Sequence, residues 1–125
     1  MILNSKAAVF GLVLALGLAA APFASAHHSF AMFDRTKDSV IEGTVREFEW
    51  TSPHTWIHLD VIEGGKTVEF SIEGGSPSAL ERQGWDRNSF KAGERVKVTV
   101  NRLRDGRRGG AFKRAVFADG RTLGQ

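Results

Sequence analysis

The side chains best suited to bind a metal ion in this chain are its four histidines, since it contains no cysteine. Two of them, His27 and His28, directly follow Ala24-Ser25-Ala26, small residues typical of a signal-peptide cleavage site. Cleavage after Ala26 would give His27 a free amine, which can chelate one ion together with its imidazole. A third nitrogen from another imidazole completes the T-shaped, tetragonal set that Cu(II) prefers. The sequence therefore predicts a copper site built on His27, to which His28 can add or substitute a ligand.

Export is predicted from the residues that precede this motif. Lys6 stands before an apolar run from Ala7 to Ala21, which is the anatomy of a signal peptide. The run is about 15 residues long, shorter than the roughly 20 that a membrane-spanning helix needs. We expect residues 1–26 to be removed and residues 27–125 to form one domain in the periplasm, with no membrane span left after processing.

The candidates for the third ligand lie on or beside one predicted strand. Its core face carries alternating apolar residues, Ile57, Leu59 and Val61. Trp56 and His58 lie on the opposite face, and His54 just before them has the same parity. At a rise of about 3.3 Å per residue the two histidines would be about 13 Å apart, too far to share one ion. At most one of His54 and His58 completes a site with His27, unless Pro53 keeps His54 in the turn and lets it fold back, and the spacing leaves both open.

Two other side chains suit the neighbourhood of a copper ion. The ring of Trp56, between the two histidines, can cover a cation or stack on a ligand, or it fills the mouth of the fold. Met32 offers a thioether, a soft ligand for Cu(I). Its apolar neighbours Phe30, Ala31 and Phe33 favour another role for Met32, as part of a plug that docks the N-terminal segment on the domain.

Short segments of alternating apolar residues, broken by glycine, predict a mainly β domain. The predicted strands are Val40–Trp50, Thr55–Ile62, a third through Val68, Phe70 and Ile72, Glu94–Asn101 and Ala111–Phe117, with turns at Glu63-Gly64-Gly65-Lys66 and from Asp105 to Gly110. One helix is predicted from Ser76 to about Gln83, with Pro77 at its first position and Gly84 as its stop. This order is that of the OB-fold, a five-stranded Greek-key barrel with one short helix between strands 3 and 4. A twisted sheet packed on one helix has the same order.

Charge is distributed unevenly along the predicted mature chain. Residues 27–94 contain 7 basic and 12 acidic side chains, whereas residues 95–125 contain 9 basic and 2 acidic ones. The basic stripe includes Arg102, Arg104, Arg107 and Arg108. A stripe of this kind is typical of nucleic-acid binding, but export argues against that partner. It fits an acidic partner protein or an anionic component of the cell envelope, or else the two parts pair their charges within the fold.

Catalysis is not predicted. No serine lies in a recognisable nucleophile elbow, and no paired carboxylates stand out from the polar faces of the strands. The chain has no tyrosine, so it lacks material for the broad aromatic surface that a polysaccharide oxidase would use. We expect a protein that is not an enzyme.

Several motifs resemble a family of small exported bacterial proteins of unknown function, DUF6152. They are His27-His28-Ser29-Phe30-Ala31-Met32-Phe33-Asp34, Gly43-Thr44-Val45, Ser52-Pro53-His54-Thr55-Trp56, Gly74-Gly75-Ser76-Pro77-Ser78 with Leu80, and Gly109-Gly110. Members of that family usually carry asparagine where this chain has Ser52, a change that affects the turn around His54 but removes no ligand. The resemblance implies no activity.

Two looser resemblances concern copper. The predicted terminus is similar to that of secreted copper proteins with a histidine brace, in this feature alone. The mixture of histidine, methionine and tryptophan is similar to that of small periplasmic OB-type proteins that carry Cu(I) or Ag(I), although their paired methionines are missing. The leading hypothesis is a periplasmic copper-binding protein for storage, delivery or tolerance. Its rival is an interaction module that uses the basic stripe.

Overall fold

A computed structural model describes residues 30–124 of the chain. The predicted signal peptide, residues 1–26, and the candidate ligands His27 and His28 lie outside the described residues. The elements in chain order are a 3-10 helix at Phe30–Met32, β1 at Ser39–Glu49, β2 at Trp56–Glu63, β3 at Lys66–Glu73, α1 at Pro77–Glu81, β4 at Arg95–Arg102, β5 at Gly109–Phe117 and β6 at Thr122–Gly124. The prediction of a mainly β protein with one short helix between the third and fourth strands is confirmed.

The strands form one sheet in the order β3-β2-β1-β4-β5-β6, and β3 additionally pairs with β5. The β3–β5 pairing is parallel, and the other pairings are antiparallel. Each of the five longer strands therefore has a neighbour on both sides, because the pairings run from β1 through β2, β3, β5 and β4 back to β1. This arrangement leaves β2 and β3 side by side, with the candidate site on their outer face.

The core follows the alternation that the sequence shows. Ile57 and Leu59 of β2, and Val98 and Val100 of β4, are fully buried. An aromatic cluster extends this core towards α1, with Trp85 edge-on to Phe112 at a ring-centre distance of 5.0 Å. Burial of side chains of this size stabilises a fold by roughly 1.5–3 kcal/mol each. The outer faces of the strands are thus free to carry polar side chains.

The helix begins where its sequence signals place it. The Ser76 hydroxyl accepts a hydrogen bond from the Ala79 amide at 3.3 Å, and Pro77 is the first helical residue. The helix ends at Glu81, two residues before the predicted Gln83. This short helix sets the path of the chain after β3.

Two details of the strand prediction are wrong. The five predicted strands are six, because Thr122–Gly124 pairs with β5 as a short added strand. Gly109 and Gly110, predicted as part of a turn, begin β5 and pair with Ser71 and Ile72 of β3. A Cβ on Gly110 would lie 2.8 Å from the Asn101 carbonyl oxygen, so glycine here permits close backbone approach.

The segment before β1 packs along the end of β4. Phe33 is buried and forms an isolated bridge with Leu103. The Arg104 amide donates to the Met32 carbonyl oxygen at 2.9 Å, and the Arg104 Nε–H donates to the Ala31 carbonyl oxygen at 3.0 Å. This agrees with the prediction that the segment docks on the domain.

Within residues 30–124, no helix is long and apolar enough to cross a membrane.

Candidate metal centre

The outer face of β1, β2 and β3 carries the candidate residues in two adjacent rows. In the first row Trp56 lies between Glu49 and Glu73, and in the second His58 lies between Glu47 and Ser71. Ile57 and Leu59, which alternate with Trp56 and His58 along β2, are fully buried in the core, as the parity of β2 predicts. His54 lies just before β2, after a cis Ser52-Pro53 bond. The two histidines therefore occupy different surroundings.

Both ring nitrogens of His58 are held by protein side chains. The Nε2–H donates to Glu49 Oε1 at 2.9 Å, and Nδ1 lies 3.0 Å from Ser71 Oγ. Nδ1 is also 3.3 Å from Glu69 Oε1. Either the Ser71 hydroxyl donates to a lone pair on Nδ1, or an Nδ1 proton is shared by Ser71 and Glu69. In both cases His58 offers no lone pair to a metal ion.

The His58 contacts continue into a network of charges. The Arg46 guanidinium lies 2.7 Å from Glu69 and 2.7 Å from Asp60. The side chain of His58 itself is only 15% exposed. The network ties β1, β2 and β3 together, which is a structural role.

His54 contacts its neighbours through Nδ1. This nitrogen lies 3.2 Å from Glu73 Oε1 and 3.3 Å from the Gly74 carbonyl oxygen. A carboxylate and a carbonyl oxygen can only accept hydrogen bonds, so Nδ1 must carry the proton. In the neutral ring the lone pair is then on Nε2. This is the arrangement of metal-binding histidines, whose other ring nitrogen usually donates to a carboxylate or a backbone carbonyl.

The backbone around His54 is fixed by hydrogen bonds between two loops. The Thr55 amide donates to the Gly75 oxygen at 3.0 Å, and the Gly74 amide donates to the Thr55 oxygen at 2.8 Å. The Thr55 hydroxyl, fully buried, also donates to Gly75 at 2.9 Å. A Cβ on Gly74 would overlap the Thr55 hydroxyl oxygen. Only glycine at residue 74 lets the loops approach this closely, which holds the His54 backbone in place.

Trp56 and Met32 are the two other residues that the sequence placed near the copper ion. Trp56 is half-buried beside Glu49 and Glu73, whereas the Met32 carbonyl oxygen accepts a hydrogen bond from the Arg104 amide just beyond the end of β4. Among residues 30–124, no group of three or more histidine, cysteine, aspartate or glutamate side chains is arranged to hold a metal ion. Within the described chain, therefore, His54 can supply a ligand but does not build a site.

The four arginines of the basic stripe have different surroundings. Arg107 pairs with Asp105 at 2.7 Å, Arg108 pairs with Glu63 at 3.0 Å, and Arg102 lies over the Phe70 ring at 5.3 Å. Among the described residues, four ion pairs join the basic C-terminal part to the acidic part: Arg95–Glu42, Arg108–Glu63, Lys113–Asp38 and Arg121–Glu94. The interpretation that the two parts pair within the fold is confirmed for these residues.

Sequence reasoning missed Glu73 as the partner of His54, although the signal is present. The predicted turn at Gly64 and Gly65 sets Glu63 opposite Lys66. From that pair, each step back along β2 is matched by a step forward along β3, and Trp56 therefore lies opposite Glu73. The hairpin register alone therefore brings Glu73 to the strand end that follows His54.

A model of one protein family matches residues 15–113, about four-fifths of the chain, and its description is a family of unknown function, DUF6152. The chain belongs to this family. The resemblance found in the sequence is thereby confirmed, and the range matched in this DUF6152 protein contains all four histidines. No curated protein and no solved structure matches it.

Proposed function

We propose that this DUF6152 protein is an exported copper-binding protein that stores, delivers or sequesters the ion in the periplasm. Its ligands are the amine and imidazole of His27, exposed by cleavage after Ala26, and Nε2 of His54. His28 can add a further ligand. The protein performs no catalytic step.

The observation that carries this proposal is the contact of His54 Nδ1 with Glu73 and Gly74, at 3.2 and 3.3 Å. It orients the ring and sets the Nε2 lone pair as a metal-binding histidine requires. Both ring nitrogens of His58 contact protein side chains, two of them carboxylates. The orientation of the His54 ring by Glu73 and Gly74 supports His54 as the third ligand of this proposal.

The strand pairings favour an OB-like barrel as the scaffold of this site. The circuit of pairings through β1, β2, β3, β5 and β4 is the one that a five-stranded OB barrel requires, with the helix after β3. In the alternative, a twisted sheet packed on one helix, β3 and β5 would not need to pair. On the barrel, the His54 loop lies at one end of the β2–β3 face.

Copper binding is tested with the processed protein, which begins at His27, and a matched variant that carries one additional alanine before it. The alanine converts the amine of His27 into a peptide nitrogen but changes no side chain. We expect the processed protein to give a Cu(II) EPR spectrum with several nitrogen ligands and an affinity at least tenfold higher. Equal spectra and affinities for the two proteins would refute the proposal. The intact mass of the exported protein establishes whether it begins at His27.

A second candidate function rests on a different surface. An open cleft of about 390 Å³ is lined by Arg102, Arg107 and Arg108, together with Glu63 and Glu69. Among residues 30–124, Arg102 and Arg104 have no carboxylate within salt-bridge distance. The basic stripe could therefore hold an acidic partner or an anionic envelope component. Salt-sensitive binding to an acidic envelope fraction, unchanged by His27→Ala and His54→Ala and lost with Arg102→Ala, would favour this function over copper binding.

A further inference from the structure

A cleft lies between α1, with the turn that follows it, and the β5–β6 hairpin. Its volume is about 340 Å³, and a second cleft of about 430 Å³ shares Gln83, Trp85 and Gly124 with it. We call the two together the Trp85 cleft. Apolar side chains from three elements complete its lining: Leu80 of α1, Phe112 of β5 and Leu123 of β6. Clefts of this size with apolar walls are typical of small-molecule sites.

Trp85 is the residue of this cleft that points to a ligand. It is only 4% exposed, and its ring packs against Phe112 and Phe90 at ring-centre distances of 5.0 and 5.7 Å. Within residues 30–124 its indole N–H donates to no acceptor. A buried tryptophan usually finds a hydrogen-bond partner for this N–H. The indole of Trp85 therefore has a donor that the described chain leaves unused.

The unused N–H is accessible from outside the protein. No fully buried side-chain nitrogen or oxygen within residues 30–124 lacks a hydrogen-bond partner. Because the indole nitrogen of Trp85 has none, it is not fully buried, and Trp85 lines both parts of the cleft. The surrounding phenylalanine rings hold the indole in place, so the donor needs no reorganisation when a ligand binds.

The polar groups of the cleft favour an anionic acceptor. Among the described residues none that lines it is acidic, and its donors include the Trp85 indole, the Gln83 amide and the Lys113 ammonium. Lys113 donates to the two carboxylate oxygens of Asp38 at 2.7 and 2.9 Å, and an ammonium group has a third proton to donate. A carboxylate can accept hydrogen bonds from all of these groups.

We propose that the Trp85 cleft binds a small carboxylate with an apolar body, such as a fatty acid. The carboxylate accepts a hydrogen bond from the Trp85 N–H, and the apolar body lies against Leu80, Phe112 and Leu123. The site uses none of the ligands of the proposed copper site. It therefore holds or fails independently of copper binding.

The test compares octanoate with octylammonium, which have the same alkyl chain and opposite charges. Nitrogen-15 NMR of the purified protein follows the indole N–H resonances of its 3 tryptophans, and Trp85→Phe identifies the resonance of Trp85 by its loss. We expect octanoate to shift this resonance and to leave those of Trp50 and Trp56 in place. Its affinity should exceed that of octylammonium by about tenfold or more, since only the carboxylate accepts from the indole.

Two variants test the donor and the charge separately. Trp85→Phe keeps a large ring but removes the N–H, and we expect it to weaken octanoate binding by about tenfold or more, because a hydrogen bond to a charged group is lost. Trp56→Phe makes the same change on the outer face of β2 and should leave octanoate binding unchanged. Gln83→Glu adds a negative charge at an exposed position of the cleft. It should weaken octanoate binding and strengthen octylammonium binding.

Several results would overturn the proposal. An unmoved Trp85 resonance would do so, as would equal affinities for the two compounds or octanoate binding that Gln83→Glu leaves unchanged in a folded protein. Slow hydrogen exchange of the Trp85 N–H in the ligand-free protein would also overturn it, because the acceptor would then come from the chain itself.

Discussion

His58 lies on the outer face of β2 and His54 lies four residues earlier, just before that strand, and the two rings have different surroundings. Both ring nitrogens of His58 have partners, since Nε2 contacts Glu49 and Nδ1 contacts Ser71 and Glu69. His54 is oriented at Nδ1 by two oxygens that can only accept. Under the proposed function, the atoms behind each ring are a better guide to metal binding than the number of imidazoles on a face.

The largest effect should come from removing each histidine in turn. We expect His54→Ala to weaken Cu(II) binding on the order of 100-fold or more, at least the loss that outer-shell changes cause. His58→Ala should keep copper affinity but destabilise the fold by about 1–3 kcal/mol, because polar partners lose their hydrogen bonds. Copper titration and urea unfolding of both variants measure the two effects. The opposite pattern would reverse the assignment.

The loop that holds His54 can be disturbed without touching a ligand. In Gly74→Ala the new methyl group would overlap the Thr55 hydroxyl, which we expect to destabilise the protein by about 1–3 kcal/mol through overpacking and to weaken copper binding. Gly75→Ala is the control, since a Cβ there meets Leu80 at an ordinary 3.4 Å. Similar urea midpoints for the two variants would show that the close approach at Gly74 does not hold the loop.

A smaller change tests the hydrogen bond between the same loops. Thr55→Val keeps the volume of the side chain but removes its bond to the Gly75 carbonyl oxygen, so we expect a loss of about 1 kcal/mol. Thr55→Ser keeps the hydroxyl and lacks only a methyl group. If the hydroxyl orders the His54 loop, valine lowers copper affinity more than serine does.

The smallest expected effect concerns the charge of Asp38, whose side chain contacts Lys113 and Asn101. A hydrogen bond from Lys113, assisted by one from Asn101, holds the pKa of Asp38 below its usual value of 3.8. A depressed folded-state pKa contributes stability above pH 3.8 that is lost as the pH falls through the folded value. Asp38→Asn should therefore reduce the dependence of the urea midpoint on pH below about 4, with copper binding unchanged at pH 7. An unaltered acid transition would contradict this role for Asp38.

Local pattern was enough to predict the strands and the helix cap, because alternation and capping each depend on neighbouring residues. It also placed His54, Trp56 and His58 on one face. Glu73 was within reach of the same reasoning, since the Gly64-Gly65 turn fixes the β2–β3 register.

Other contacts were not within reach, because they depend on pairings between distant segments. Glu49 meets His58 only through the β1–β2 register, which a bulge between Val45 and Glu47 shifts. Gly109 and Gly110 have the local signature of a turn, and pairing with distant segments makes them part of a strand, since both pair with β3 and Gly110 also pairs with Arg102 of β4.

The anchoring of Ala31 by Arg104 has a consequence for the chain that precedes it. Ala31 is four positions after His27, so covalent geometry keeps the two Cα atoms within about 14 Å of each other. His27 is thus tethered to the domain, and a short tether gives an effective concentration on the order of millimolar for a partner group within its span. Under the proposed function, in which His27 carries the terminal amine, lengthening this segment or removing its anchor at Arg104 would lower the local concentration of that amine without removing any ligand.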